Sequence, residues 1–291
     1  MKQKIFNRNK LKLHRGRVCK KWHQNKFLKT LASQRLGERL FEIKRNFDLA
    51  LDIGCHNGEL GNILLRSNKI KQIIQSDLSF DLALIAKKNF QSTLVLDEEK
   101  LPFKENVFNA IFSSFNLHWI NKFPELLINI YNLLESDGLF LSNFLGGETL
   151  IELRKILVAS EIEILGGSIN RISPFIDIRS AGKLLQTSGF SMPVIDKEII
   201  TVTHSNIIDL FHDLRNMGEN SCLYNSPITL RRDVINLAEK IFKNKFITKD
   251  NKISSTFELI TMTAWSKHPN QPKPLRPGSG RQNLSDVLDL K

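Results

Sequence analysis

Three aspartates at the ends of successive apolar runs, beside a glycine loop, are the residues of this 291-residue chain whose types and spacing point to chemistry. The run FDLALDI carries Asp52 and leads into Gly54-Cys55-His56-Asn57-Gly58. Glycines there let the backbone approach a ligand and tolerate positive φ. A dinucleotide fingerprint would need glycines at the positions of Gly54, His56 and Glu59; two of the three fail, which disfavours a nicotinamide or flavin site. Asp77, with Leu78 after it, closes the second run, where a carboxylate accepts both ribose hydroxyls of a nucleoside. Asp97 and Glu98 close the third, where an acid or its neighbouring amide takes an adenine amino group.

Three acids repel phosphates, so the expected ligand is a nucleoside without a diphosphate, preferably cationic. S-adenosylmethionine, a sulfonium with an amino acid tail, has that charge. The competing reading makes Asp52, Asp77 and Asp97 ordinary caps and turn residues. Three such coincidences at consecutive strand ends favour the cofactor. The candidate cofactor set is Asp52, Gly54, Cys55, Gly58, Asp77, Leu78, Asp97, Glu98 and Asn116.

The elements that must position these residues alternate. FDLALDI, IKQIIQS, STLVL, VFNAIFSS and LFLSNFL read as strands; ELGNILLRS, Phe80 to Asn89 and a stretch with Leu126, Leu127, Ile130 and Leu134 read as helices between them. The last helix has Asn121 as a candidate cap and Pro124 in its first turn, and ends at a turn, SDG. Such alternation predicts an α/β fold with a mostly parallel sheet covered on both faces, with ligands beyond the carboxyl ends of the strands. After Gly147, helical stretches at 148–159, 178–187, 207–216 and 230–245 dominate, interrupted by IITVTH and by FELITMTAWSKH, the best late strand candidate. The expected division is a basic arm and helix over 1–45, the main domain over 46–267 with a substrate-side cover at 149–225, and a Pro-rich tail over 268–291.

The net charge of +12 suggests nucleic acid until it is placed. Residues 1–30 hold eleven Lys or Arg and no acid, which leaves 31 basic against 30 acidic residues elsewhere. The arm suits RNA phosphates, anionic lipid at a membrane surface, an acidic partner, or plain solvation. No specific nucleic acid is expected: the position after the fourth strand reads Ser114-Phe115-Asn116-Leu117 rather than the proline-rich motif of amino-methylating enzymes. The apolar runs fall short of the roughly 20 residues of a bilayer span. Three scattered cysteines make neither a disulfide framework nor a metal cluster, and the expected setting is a reducing one: cytoplasm, or the mitochondrial matrix in a eukaryotic cell.

The Asp-x-Gly-x-x-x-Gly loop, the ribose acid and the block from Asp97 to Ser114 resemble the class I S-adenosylmethionine-dependent methyltransferase superfamily, which implies a seven-stranded Rossmann-like sheet with a helical C-terminal cover. A narrower likeness spans nearly the whole chain. RNFDLALDIGC, LPFKENVFNAIFSSFNLHWI, GGETLIELR, ISPF, DLRNMGENS and AWSKH resemble the mitochondrial complex I assembly factor five family and its bacterial relatives. That resemblance implies S-adenosylmethionine binding and hydroxylation or methylation of a protein partner, an arginine of an iron–sulfur subunit near the quinone site of complex I. It equally leaves open a small-molecule or carrier-protein O-methyltransferase, or an assembly chaperone without catalysis. IFNRN near the start also resembles the family, so the arm reads as part of the mature chain rather than a cleaved presequence.

Beyond the cofactor, His118 reads either as a general base or as a wall histidine beside Trp119. Glu148, after Gly146 and Gly147, reads either as an acid for a guanidinium substrate or as a helix-start carboxylate. Ser173, Glu219 and Asn220 belong to loops of the cover and suit substrate contact or turns. His56 matters only if its ring reaches the sulfonium end.

Overall fold

The alternating segments fold as a computed structural model that describes residues 4–24, 26–224, 229–272, 278 and 280. Helix α1 (Arg8–Val18), a 3-10 turn (Cys19–Gln24) and α2 (Phe27–Glu42) precede the sheet. There follow β1 (Phe47–Ile53), α3 (Glu59–Arg66), β2 (Ile70–Asp77), α4 (Phe80–Ala86), β3 (Thr93–Val95) and β4 (Phe108–Ser114). After a 3-10 turn (Leu117–Trp119) come α5 (Phe123–Leu133), β5 (Leu134–Leu145), α6 (Ile151–Leu165), α7 (Ile178–Thr187), β6 (Ser191–His204), α8 (Ile207–Asn216), α9 (Arg232–Lys245) and β7 (Ile253–Trp265). The seven strands form one sheet in the order β3-β2-β1-β4-β5-β7-β6, parallel except for β7, which runs antiparallel to both its neighbours.

Burial on both faces explains the largely apolar central strands β1, β4 and β5, whereas β2 and the edge strand β3 carry exposed positions. Leu36 and Leu40 of α2 with Leu60 and Leu64 of α3 cover one face of the sheet. Leu126, Leu127 and Ile130 of α5 with Ala181 and Leu185 of α7 cover the other. A third cluster joins α6, α8 and α9 to Leu28 and Ala32 of α2 and to Phe257 and Leu259 of β7. Leu28, Ala32, Leu36 and Leu40 recur every four residues, so one stripe of α2 serves both sheet and cover. A methyl at Gly37 would lie 2.4 Å from Ile63, which keeps α2 and α3 in close contact.

Three sequence expectations change. SDG does not end a helix before a strand; it lies inside β5, where the register against β4 shifts between Phe108 and Ala110 and Asp137 takes φ 64°. IITVTH is the second half of a 14-residue strand, because β6 pairs with β7 along almost its whole length. Asn121 does not cap α5, whose N-cap is Lys122; its amide instead bonds the backbone of Phe6, accepting from the N–H at 2.7 Å and donating to the carbonyl at 3.1 Å. An extended N-terminal segment brings backbone groups that must be paired, and Asn121 pairs them. Of the expected Pro-rich tail, residues 273–277, 279 and 281–291 lie outside the described residues.

Leu127 is fully buried under the sheet. Leu127→Ala is expected to cost about 2–5 kcal/mol by urea denaturation, the range for a buried leucine whose cavity cannot collapse.

Candidate active site

The loop after β1 is built on left-handed backbone: Gly54, His56 and Gly58 take φ of 72°, 52° and 82°. The amides of Gly54 and Cys55 both donate to the Ser76 carbonyl at 2.8 Å, which ties the loop to β2. A side chain at Gly54 is impossible, because its Cβ would lie 2.2 Å from Asn116. His56 has no such freedom as a non-glycine residue. Its amide donates to Asp77 Oδ2 at 3.0 Å, and its buried ring lies 5.3 Å from that of Trp22 at 34°.

The strand-end acids then divide. Asp77 is buried and accepts from the amides of Ser79 at 2.7 Å and His56 at 3.0 Å, with Arg15 Nη1 at 3.5 Å. Glu98 is also fully buried; it accepts from Asn116 Nδ2 at 3.3 Å and pairs with Arg8 and, at 3.5 Å, with Arg15. Asp97 turns outward, accepting from the amide of Glu99 at 3.0 Å and from Arg8 at 2.9 Å. Glu98 rather than Asp97 therefore faces the site. Leu78 packs beneath, against Phe6, Leu11 and Trp119.

Asp52 is fully buried and neither of its carboxyl oxygens has a hydrogen-bond partner among the described residues; burial first, and then the charge of Asp77, pushes its pKa up to about 8. The His56 ring nitrogens are likewise unpartnered, and burial holds that imidazole neutral. Burial also raises the Cys55 thiol, which makes it an inert wall group. Asp52 and His56 border a cavity of about 10 Å³, shared with Trp22, Lys29 and Ser33. Orphaned buried polar atoms need a ligand or water.

Beyond β4 the chemistry is set by one carboxylate. Glu219 Oε2 accepts from Trp119 Nε1 and from His118 Nε2, each at 2.9 Å, and its Oε1 lies 2.6 Å from Lys29 Nζ. Burial works against the charge of Glu219, but Lys29 and His118 more than offset it and hold the carboxyl below the ordinary range. His118 Nδ1 accepts the amide of Leu145 at 3.4 Å, so the proton resides on Nε2 and is given to Glu219. Burial lowers the pKa of His118, consistent with that neutral form. Both ring nitrogens are therefore committed, and His118 is a wall residue that orients Glu219 rather than a free base. The Lys29 ammonium also lies 4.8 Å from the Trp22 ring centre and 5.6 Å from that of Phe115.

Against this network opens a cavity of about 460 Å³ under the helical cover. Trp119, Ser173, Glu219 and Asn220 all line it, together with Leu145 and Phe175. The Ser173 hydroxyl is buried and unpartnered, and its carbonyl accepts from Arg154 at 3.0 Å. Gly147 and Glu148 are not brought here. The chain leaving β5 bonds back to β7 through the amides of Gly146 and Leu150, which carries residues 147 and 148 to the outer rim. Glu148 is half-exposed and paired with Lys197 at 2.6 Å. The acid that lines the cavity is Glu219.

Sequence reasoning missed Arg8, Arg15, Lys29 and Trp22. The available signal was a cationic segment without acids whose apolar residues, Leu11, Val18 and Trp22, are nonetheless buried.

Comparison with known proteins fits this geometry. The family described as Methyltransferase domain matches residues 51–142. The chain is 33% identical over 291 residues to human mitochondrial arginine-hydroxylase NDUFAF5, covering 97% of this chain and 83% of that protein. The chain belongs to the arginine-hydroxylase NDUFAF5 family. The zebrafish (Danio rerio) NDUFAF5 protein is also 33% identical, over 270 residues, covering 91% of this chain and 83% of that protein. A malonyl-[acyl-carrier protein] O-methyltransferase of Gallionella capsiferriformans is 23% identical, covering 92% of this chain and 94% of that protein. The fold matches that of the YcgJ protein of Bacillus subtilis with a TM-score of 0.56 at 12% identity, covering 81% of this chain and 99% of that one. As an NDUFAF5-family chain with this sheet, it is an enzyme of the S-adenosylmethionine-dependent methyltransferase superfamily. S-adenosylmethionine is the cofactor the residues fit: Asp77 would hold the ribose, Glu98 the adenine side, and Asp52, Gly54 and His56 the methionine end.

Two outcomes test the site. Asp77→Ala is expected to weaken S-adenosylmethionine binding in calorimetry by about 1.5–3 kcal/mol, the loss of hydrogen bonds to a charged acceptor. Asp52, protonated up to about pH 8 in the fold and only to about pH 4 when unfolded, makes stability fall as pH rises between those values. Asp52→Asn removes that slope, so its stability relative to the parent chain should be higher at pH 8 than at pH 5 in thermal denaturation without cofactor.

Proposed function

We propose that this chain modifies a protein during respiratory complex I assembly, at an arginine of the iron–sulfur subunit near the quinone site. Family membership supports the class of substrate. The carrying observation is the 460 Å³ cavity in which Glu219 is the one acid among the described lining residues, beside two arginines, Arg171, which is paired with Glu161, and Arg215. An arginine side chain asks for that combination: apolar walls, here Leu145, Leu150 and Phe175, for its three methylenes, and an anion at depth for its guanidinium. Trp119 closes the wall beside Glu219, as an aromatic surface does for a planar cation.

When bound, S-adenosylmethionine supplies an electrophilic methyl group, which makes methylation of the guanidinium complete without a further reagent. Hydroxylation instead oxidises the arginine by two electrons and requires an oxidant and an oxygen source as co-reactants. In either case the residues of this chain orient the acceptor: Lys29, His118 and Trp119 fix both oxygens of Glu219. The names of the vertebrate relatives favour hydroxylation.

Intact mass of the iron–sulfur subunit from cells with and without this gene decides the chemistry. A gain of one oxygen supports hydroxylation and of one methyl supports methylation; no difference overturns the proposal. Glu219→Gln is expected to lower product by about tenfold or more while S-adenosylmethionine affinity changes little, since the carboxylate faces the substrate cavity.

A further inference from the structure

The position that a nucleoside would take between Asp77 and Glu98 is filled by this chain's own Arg15. The guanidinium has no exposed surface; Nη1 lies 3.5 Å from Asp77 Oδ2 and 3.5 Å from Glu98 Oε1, and Nη2 donates to Asn116 Oδ1. These are the acceptors that a ribose diol and an adenine amino group require. The cavity beside the glycine loop, bordered by Asp52 and His56, measures about 10 Å³ and does not reach Asp77 or Glu98, whereas a ligand of this size needs about 300 Å³ or more.

The fit of Arg15 is loose. Charge-assisted hydrogen bonds close to about 2.7–2.9 Å, yet both carboxylates stand 3.5 Å away, Nε has no partner among the described residues, and the close contact is to the neutral amide of Asn116. A buried cation so poorly satisfied is not an optimised structural ion pair. The helix that delivers it is attached by few apolar side chains: Leu11 and Val18 are the buried ones in α1. Its other ties are exchangeable. The amide of Asn7 donates to the Cys222 carbonyl at 2.7 Å, the amide of Tyr224 donates to Ile5 at 2.9 Å, and Arg8 pairs with Asp97 and Glu98. Gly16 lets the helix settle against α4, where a methyl would meet the Asp81 carboxylate at 2.7 Å.

We propose that α1 is a displaceable plug: Arg15 stands in for the adenosyl group on Asp77, Glu98 and Asn116, and cofactor entry expels it together with the segment that carries it. The proposal rests on the cofactor reading given above. Acceptors buried at the strand ends need donors in either state, the Arg15 guanidinium when the helix is docked and the ribose hydroxyls and adenine amino group when it is not. Binding of the two is mutually exclusive, so the docked helix lowers the apparent affinity by the fraction of molecules it closes. Release of α1 also frees the loop that carries Glu219, because Phe6 bridges Leu223 and packs edge-on against Trp119. Cofactor loading and access to the substrate cavity are in this way one equilibrium.

Hydrogen–deuterium exchange on the full chain, with and without saturating S-adenosylmethionine, tests this without any substitution. Amides of residues 8–18 are expected to lose protection when the cofactor binds. Unchanged or increased protection overturns the plug. Calorimetry of Arg15→Met, whose thermal transition is compared with that of the parent chain, is expected to show about tenfold tighter binding. Weaker binding by a folded Arg15→Met chain makes Arg15 a cofactor ligand and also overturns the proposal. If neither the parent chain nor Arg15→Met binds S-adenosylmethionine, the cofactor reading fails and the plug with it; binding without loss of protection removes the plug alone.

Discussion

Carboxylates buried at the carboxyl ends of parallel strands must be matched by cations, and the placement of the first thirty residues follows from that requirement. Asp77 and Glu98 meet Arg15, Glu98 and Asp97 meet Arg8, and Glu219 meets Lys29. An unpaired ionised carboxylate in such a setting costs several kcal/mol. Asp52, which makes no ion pair among the described residues, responds in the other available way and holds its proton. The basic arm is therefore an internal set of counter-charges as much as a surface feature, and the acid-poor composition of residues 1–30 is the complement of the acid-rich strand ends.

The same pairing organises the substrate side. Glu219 comes from the loop after α8, His118 and Trp119 from the turn after β4, and Lys29 from α2. Three separate parts of the chain converge on one carboxylate, so the cavity wall is defined by electrostatics as well as by packing. His118 contributes by accepting the Leu145 amide and donating to Glu219, a use of imidazole that fixes a tautomer and leaves no lone pair for proton transfer.

Much of the fold was legible because it rests on periodicity. The central strands read as short, largely apolar runs, amphipathic helices separate them, and the sheet with its antiparallel β7 follows. The glycine loop and Asp77 were legible for the same reason: their positions are set by strand ends. What depended on tertiary placement was not. Asp97 and Glu98 are adjacent, and only the turn after β3 decides that Glu98 points inward. Glu148 follows a strand end as a site residue should, but the bonding of Gly146 and Leu150 to β7 turns it out to Lys197. Arg8, Arg15 and Lys29 read as solvated charges because a cation's buried partner lies far along the chain, from 62 to 190 residues away.

The contact of Trp22 with His56 has an optical consequence. Of the three tryptophans in the chain, Trp22 lies over the glycine loop with Lys29 on its face, Trp119 donates to Glu219 in the substrate cavity, and Trp265 stacks on Phe47 far down the sheet. Indole emission is sensitive to nearby cations and to the polarity around the ring. The enzyme thus carries one chromophore at each half of its reaction chamber and a third as an internal standard, so that events at the two halves can be watched in the unlabelled protein.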